Sequence, residues 1–415
     1  MKPVLVCLLS VGVASAALAD EPLTWDDCTR EAVQHNPDLL AAPAAVREAR
    51  AKYFGSYSPL LPHVSGSLGV DRGTSSTSSS NLDENSLGLS ASEILFSGFH
   101  NEAQVSQQHA NLQAAEAALA QAKAQVGFDV KNAFAQLLFA QEQVTLTQAI
   151  ADRRKEHVRM IELRYQAGKE HEGSYLRSKA ASQQADFDVA SAKRALHVAQ
   201  QQLAKALGRQ DAAQLTLAGE LKTAPVDEPP DFHALMFQTP AHRQAEAQDR
   251  SARAGVTIAR SGFFPTVSAT GSLSRLGTDW PPSDHRWLAG LTVSLPLFSG
   301  GQTFFDMRSA AAERDRTKAT LDSTDNQVVF ALQQAFATYQ DAAGKVGVQA
   351  EFLHAAQVRE EIATSQYTAG LLSFQDWDLI EEDLITNQKS MQTSRRDAVI
   401  TEATWERIQG KSPLL

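Results

Sequence analysis

The chain has 415 residues with 38 Lys and Arg against 48 Asp and Glu, a formal net charge of −10. That acidic balance excludes nucleic acid as the main partner, because phosphate binding needs clustered Lys and Arg. Charged residues at 21% and hydrophobic ones at 43% fit a folded chain, but aromatics at 7% are few for a large compact core and count against a big globular enzyme.

Residues 1–19 read as a secretory signal peptide: Lys2, an apolar run Val4–Leu9, then small residues ending in Ala17-Leu18-Ala19. Cys7 lies inside the apolar run, which makes it a poor lipidation site. Cys28 is then the only cysteine left, and one thiol forms no intramolecular disulfide. No later stretch approaches the roughly 18 consecutive apolar residues of a spanning helix.

The chain is written twice. A shift of about 202 residues brings Pro62-His63-Val64-Ser65 onto Pro265-Thr266-Val267-Ser268 and Leu95-Phe96-Ser97-Gly98 onto Leu297-Phe298-Ser299-Gly300. The same shift brings Tyr165-Gln166-Ala167-Gly168 onto Tyr367-Thr368-Ala369-Gly370. The near-constant offset marks a tandem repeat. The first copy spans 20–222 and the second 231–410, joined by a Pro-rich linker at 223–230 and followed by a tail at 411–415.

Each copy opens with a helix, near 24–54 and 231–259, loosened at Pro37, Pro43 and Pro240. Two long proline-free stretches follow later, and proline costs about 3 kcal/mol inside a helix. Val105, Leu112, Leu119 and Val126 recur every seven residues, then Val130, Leu137, Val144, Ala151, Val158 and Tyr165. Leu332, Tyr339, Val346 and Leu353 repeat the spacing, with Tyr367 in phase. Sustained heptads predict supercoiled helices over 101–167 and 302–368, each rod about 100 Å at 1.5 Å per residue. Half-length helices are expected at 175–207 and 375–409. The first tip, with Lys169-Glu170-His171-Glu172-Gly173, reads as about three residues longer than the second.

Between the helices the hydrophobic period falls to two, giving strand pairs over 63–96 and 266–298. Val64, Leu68 and Val70 alternate with Ser65, Ser67 and Gly69, and Val267 and Leu273 alternate with Ser and Thr. Leu291, Val293, Leu295 and Leu297 alternate with Thr292, Ser294 and Pro296. Strands of 9–11 residues are long enough to cross a bilayer at a tilt, and half-buried strands of a soluble sheet show the same pattern. In lipid, Val64, Leu68, Val70, Val267, Leu273, Val293 and Leu295 face outward, with Arg72–Asn85 and Arg275–Arg286 as exterior loops. An open edge in lipid leaves backbone groups unpaired, so chains must pool strands. Three copies give twelve, the smallest multiple with a usable lumen.

With these features together, the chain resembles the TolC-type outer-membrane efflux proteins over essentially its whole mature length. The Leu-Phe-Ser-Gly turns, the two Tyr-x-x-Gly tips and the Trp25–Pro37 opening carry the resemblance. It implies an α+β membrane protein: a homotrimeric 12-stranded outer-membrane β-barrel, four strands per chain, continued by a long periplasmic α-helical coiled-coil barrel. The implied partners are a periplasmic adaptor (a membrane fusion protein), an inner-membrane transporter and outer-membrane lipid, in an efflux or type I secretion system giving substrates passive exit. No reaction and no cofactor are implied. The other readings are a non-pore periplasmic coiled-coil adaptor, for which one hairpin and a compact β domain are expected, and a secreted structural coiled coil.

In that family an aspartate past the second tip narrows the periplasmic entrance. Here Asp376 lies six residues past Gly370, and the gate set is Asp376, Asp378 and Tyr367. Trp377-Asp378-Leu379 departs from the family pattern by putting a charge where an apolar residue is usual. The alternative reading of Asp376 is a cap of the helix that starts near residue 375. The adaptor-docking tips are Ala167, Gly168, Lys169, Ala369, Gly370, Leu371 and Leu372.

The eleven histidines form no His-x-x-x-His or comparable metal spacing, and no nucleophile or phosphate-binding motif occurs. His171 beside Glu170 and Glu172 reads as part of a solvated tip. Arg153-Arg154-Lys155 and Glu381-Glu382-Asp383 read as solvated helix faces. Phe263-Phe264, Trp280, Trp287, Phe304 and Phe305 flank the strands, as membrane-interface aromatics or as packing at the strand-to-helix junctions.

Overall fold

The computed structural model describes residues 22–75, 78–81, 84–209, 215–225 and 228–414. The expected signal segment 1–19 lies outside the described residues, as does part of the first exterior loop. In chain order the elements are α1 (Trp25–His35), α2 (Pro37–Gly55), β1 (His63–Asp71), β2 (Thr74–Ser75), β3 (Ser78–Asn81) and β4 (Glu84–Phe96). They continue with α3 (His100–Gln166), α4 (Glu172–Leu207), α5 (Phe232–Met236), α6 (Pro240–Ser261), β5 (Thr266–Gly277), β6 (Asp284–Ser294), α7 (Gln302–Thr368) and α8 (Phe374–Gln409).

α3 and α7 are each 67 residues long and α4 and α8 each 36. The opening helices break at two of the three prolines. The Asn36 side chain accepts from the amides of Asp38 and Leu39, and the Thr239 hydroxyl accepts from His242 N, with proline first in the helix each time. Pro43 stays inside α2.

The chain divides into two compact units. Unit 1 holds residues up to Ala32, Ala133–Lys222 and Phe352–Arg396. Its interior includes Ile150, Ala151, Ala185, Val189 and Ile385, tied by Lys389 to Asp188 at 3.0 Å and Gln143 to Gln392 at 2.7 Å. Arg209 grips Glu31 with two guanidinium nitrogens. Buried Cys28 sits here as a free thiol, its pKa pushed up to about 12 by burial.

Unit 2 holds Val33–Asn132, Thr223–Glu351 and Asp397–Leu415. Phe336 and Trp405 meet at 5.2 Å and Phe232 contacts both. Lys131 bridges Glu402 and Glu406. Unit 2 also contains one antiparallel sheet in the order β1-β4-β5-β6, with β1 and β6 as unpaired edges, and a small β2-β3 ribbon.

The register sorts the sheet's two faces, because directly opposed residues project to the same side. Val64 opposes Ala91, Leu68 opposes Leu87, Leu89 opposes Leu273, and Val267 opposes Val293. Val64, Leu68, Val70, Val267, Leu273 and Val293 therefore share one face, with Leu87, Leu89 and Leu291. Ser65, Ser67, Ser90, Ser272, Ser274 and Thr292 share the other.

Two boundaries differ from expectation. β6 ends at Ser294, so Leu295 and Leu297 fall past the strand, because Pro296 has no N–H to donate. Arg275 and Arg286 lie inside strands, leaving 278–283 as the loop between β5 and β6.

Candidate gate and docking tips

Both helical hairpins end in the same turn. Gly168 and Gly370 adopt φ of 67° and 78°, a left-handed conformation that glycine takes without Cβ strain. At the first tip Gly168 N donates to Tyr165 O and Lys169 N to Arg164 O. At the second, Gly370 N donates to Tyr367 O and Leu371 N to Gln366 O, again the double bond of a Schellman cap. Ala167, Gly168, Lys169, Ala369, Gly370 and Leu371 are exposed, whereas Leu372 is half-buried against the cluster of Ile161, Ala363, Tyr367 and Trp377.

The first tip is not longer than the second: 167–171 and 369–373 are both five-residue connections. His171 is the reason. Its Nδ1 accepts from Ser174 N at 3.3 Å, capping α4, so Glu172 and Gly173 join the helix rather than the loop.

Tyr367 is buried beneath the second tip with Ile161, Ala363 and Trp377. Its ring stacks on Trp377 at 4.7 Å and 7°, and the Arg164 guanidinium sits 4.6 Å from its centroid. The Tyr367 hydroxyl donates to Glu170 Oε2 at 3.0 Å, and Trp377 Nε1 donates to Thr364 Oγ1 at 2.8 Å. Burial, and then the Glu170 carboxylate, push the phenol above its ordinary value, so it remains a neutral donor.

Below this stack lies a charged layer. Asp378 is 8% exposed and Arg154 4%. Arg154 NH1 donates to Asp378 Oδ1 at 3.1 Å, and Arg177 Nε donates to Asp378 Oδ2 at 3.1 Å. Arg154 NH2 reaches Glu382 at 2.8 Å. Glu381 is wholly buried, 3.4 Å from Arg153 Nε and 3.7 Å from His157 Nε2. Burial pushes its carboxyl up to about 7, with Arg153 opposing and Glu360 adding to the rise. Burial, with Arg154 and Arg153 beside it, pulls His157 down to about 4, leaving it a neutral ring packed 4.5 Å from Trp377.

Of the three gate residues named from sequence, Tyr367 and Asp378 are buried and partnered inside unit 1, and Asp376 alone is exposed. Ser373 Oγ donates to Asp376 Oδ2 at 2.7 Å, and Asp376 N donates to Ser373 Oγ at 3.1 Å. Ser373 is thus the N-cap, its hydroxyl accepting from Asp376 N and donating to the carboxylate of Asp376, the third helical residue.

The reading of Arg153-Arg154-Lys155 and Glu381-Glu382-Asp383 as solvated faces is corrected for Arg154 and Glu381, which are interior. A sequence signal existed. Trp377, Leu384, Met391 and Ala398 recur every seven residues and all are buried, and Glu381 stands four residues after Trp377, on the same stripe. Among the described residues, no group of three or more His, Cys, Asp or Glu side chains is placed to hold a metal.

The comparisons agree with this architecture. The profile of the family described as outer membrane efflux protein matches residues 29–209 and 236–411. The pyoverdine export outer membrane protein OpmQ of Pseudomonas aeruginosa is 29% identical over 83% of this chain and 76% of its own length. The cation efflux system protein CusC of Escherichia coli is 23% identical over 87% of this chain and 80% of its own. The fold superposes on the crystal structure of CusC with a TM-score of 0.85 at 19% identity, covering 92% of this chain and 91% of that one. It superposes on VceC from Vibrio cholerae with a TM-score of 0.84 at 20% identity, covering 93% and 95%. The chain belongs to the outer membrane efflux protein family, and is an outer-membrane channel protein rather than an enzyme.

Proposed function

We propose that three copies of this chain close a twelve-stranded barrel in the outer membrane, continued into the periplasm by their helices. Substrate leaves passively through it after an inner-membrane transporter hands it over through a periplasmic adaptor seated on the hairpin tips. The β2–β3 ribbon and the 278–283 loop face the exterior, the apolar sheet face meets lipid, and the chain arrives by a cleaved signal peptide at 1–19.

The observation that carries this reading is the sheet itself. Its two edges, β1 and β6, are unpaired, and one face carries exposed apolar side chains on all four strands, among them Leu68, Leu89, Leu273 and Leu291, with Glu93 the acid among them near the helix end. In lipid neither edge is tolerable unless another copy pairs with it. The matched lengths of α3 and α7, and of α4 and α8, support a duplicated unit. Leu291 repeats Leu89 and Val70 repeats Leu273, so the β4–β5 register carried round the ring sets Leu291 opposite Val70 of the adjacent copy.

Cysteines at Leu291 and Val70 in a Cys28→Ser background test this. Oxidation of outer-membrane fractions is expected to give a covalent ladder ending at three chains. A ladder ending at two, or none with this pair, would count against the trimer and its register.

A further inference from the structure

We propose that the loop end of the apolar sheet face binds the phosphate groups of the outer leaflet's anionic glycolipid, through Arg275 and His285. The inference rests on the barrel reading above and adds a ligand to its lipid-facing surface.

The register segregates charge at this end. Arg275 opposes both Leu87 and His285, and one pair deeper Leu273 opposes the exposed Trp287. The two basic side chains thus stand just beyond the apolar band, above an aromatic of the kind that anchors at an interface.

The acids of these strand ends lie on the other face. Asp71 opposes Glu84, and Asp284 opposes Leu276. Arg286, opposite Ser274, is also on that side. No ion pair engages Arg275 or His285 among the described residues. A face that is apolar below and carries Arg275 and His285 at its rim is complementary to a lipid with acyl chains below and phosphates above. Arg275 adds a planar fork that fits two phosphate oxygens at once, and His285 adds a ring donor.

The test is native mass spectrometry of full-length protein extracted from outer membranes, delipidated, and titrated with bis-phosphorylated lipid A or its dephosphorylated form. Wild type is expected to prefer the phosphorylated lipid. Arg275→Gln with His285→Gln should lose that preference by about fivefold for the guanidinium removed, while Arg275→Lys, which keeps the charge but not the fork, retains part of it. Arg286→Gln, on the opposite face, should leave binding unchanged. Equal binding of the two lipids by wild type, or an undiminished preference in the double variant, overturns the inference and leaves the barrel reading standing. Loss in Arg286→Gln alone reverses the faces, and recovery of the chain outside the outer membrane removes the barrel; either overturns both.

Discussion

Arg154 and Asp378 meet at 3.1 Å in the interior of unit 1, and Arg177 holds the second carboxylate oxygen at the same distance. Asp378 therefore joins α3, α4 and α8 at one point, directly beneath the Tyr367–Trp377 stack.

Removing one partner should cost more than removing both. Asp378→Asn leaves the Arg154 guanidinium buried beside a neutral amide, at a cost of about 3–5 kcal/mol for a fully buried pair. The exposed Arg177 and the remaining Glu382 contact place the expected loss toward the lower end. Arg154→Met with Asp378→Leu, which packs the same space without charge, should recover much of it. Thermal melts followed at 222 nm check this; equal losses in single and double variants would show that the ion pair does not set the stability.

The pH dependence turns on Glu381 and His157, which oppose each other. Glu381 rises from an ordinary 4.5 to about 7 in the fold. The folded state then holds a proton that the unfolded chain has released, so this contribution is full below pH 4.5 and is lost as pH rises through 7. His157 falls from 6.5 to about 4. Its contribution is present above pH 6.5 and is lost as pH falls through 4. Between 4.5 and 6.5 the two offset in the wild type. Glu381→Gln should leave a melting temperature that rises with pH across that window, and His157→Gln one that falls. Slopes of the same sign in both variants would refute the assignment.

The sheet faces predict an asymmetry between neighbours. Leu68 lies on the apolar face and Ser67 on the polar one. An Arg on the lipid face near the midplane costs about 2–4 kcal/mol, and far less on the lumen side. Leu68→Arg should sharply reduce folded yield in outer membranes while Ser67→Arg is tolerated. Equal yields would mean that the period is right and the faces are misassigned.

Periodicity carried most of the fold. Heptads at Val130, Leu137 and Ala151, and at Leu332, Tyr339 and Tyr367, mark positions that are buried, whereas Tyr165, the last of the first-half seam, is exposed at the tip. Period two likewise fixed which strand residues share a face. The charged layer was hidden for the opposite reason. Local composition labels Glu381-Glu382-Asp383 as solvated, and only the arrival of Arg153 and His157 from α3 makes Glu381 an interior group. The first tip was misjudged because a histidine cap reads as loop until its ring is seen accepting from Ser174 N.

Asp376 tests the gate, and its hydrogen bonds with the Ser373 cap make the experiment separable. If Asp376 is the gate, three-fold symmetry in the proposed trimer would bring one copy per chain toward the axis as a ring of like charges. Such a ring in a narrow opening attracts and retains cations. The carboxylate also accepts from Ser373 Oγ at 2.7 Å, so removing it disturbs the first turn of α8 as well. A lost cap typically costs about 1 kcal/mol. Ser373→Ala removes the cap and keeps the charge, whereas Asp376→Asn removes the charge and keeps a side-chain oxygen that can accept. Single-channel recordings should show cation selectivity and multivalent block lost in Asp376→Asn and retained in Ser373→Ala, with the melting temperature lowered mainly in the latter. If current is unchanged in a trimeric Asp376→Asn protein, the residue serves the helix end alone and the constriction lies elsewhere.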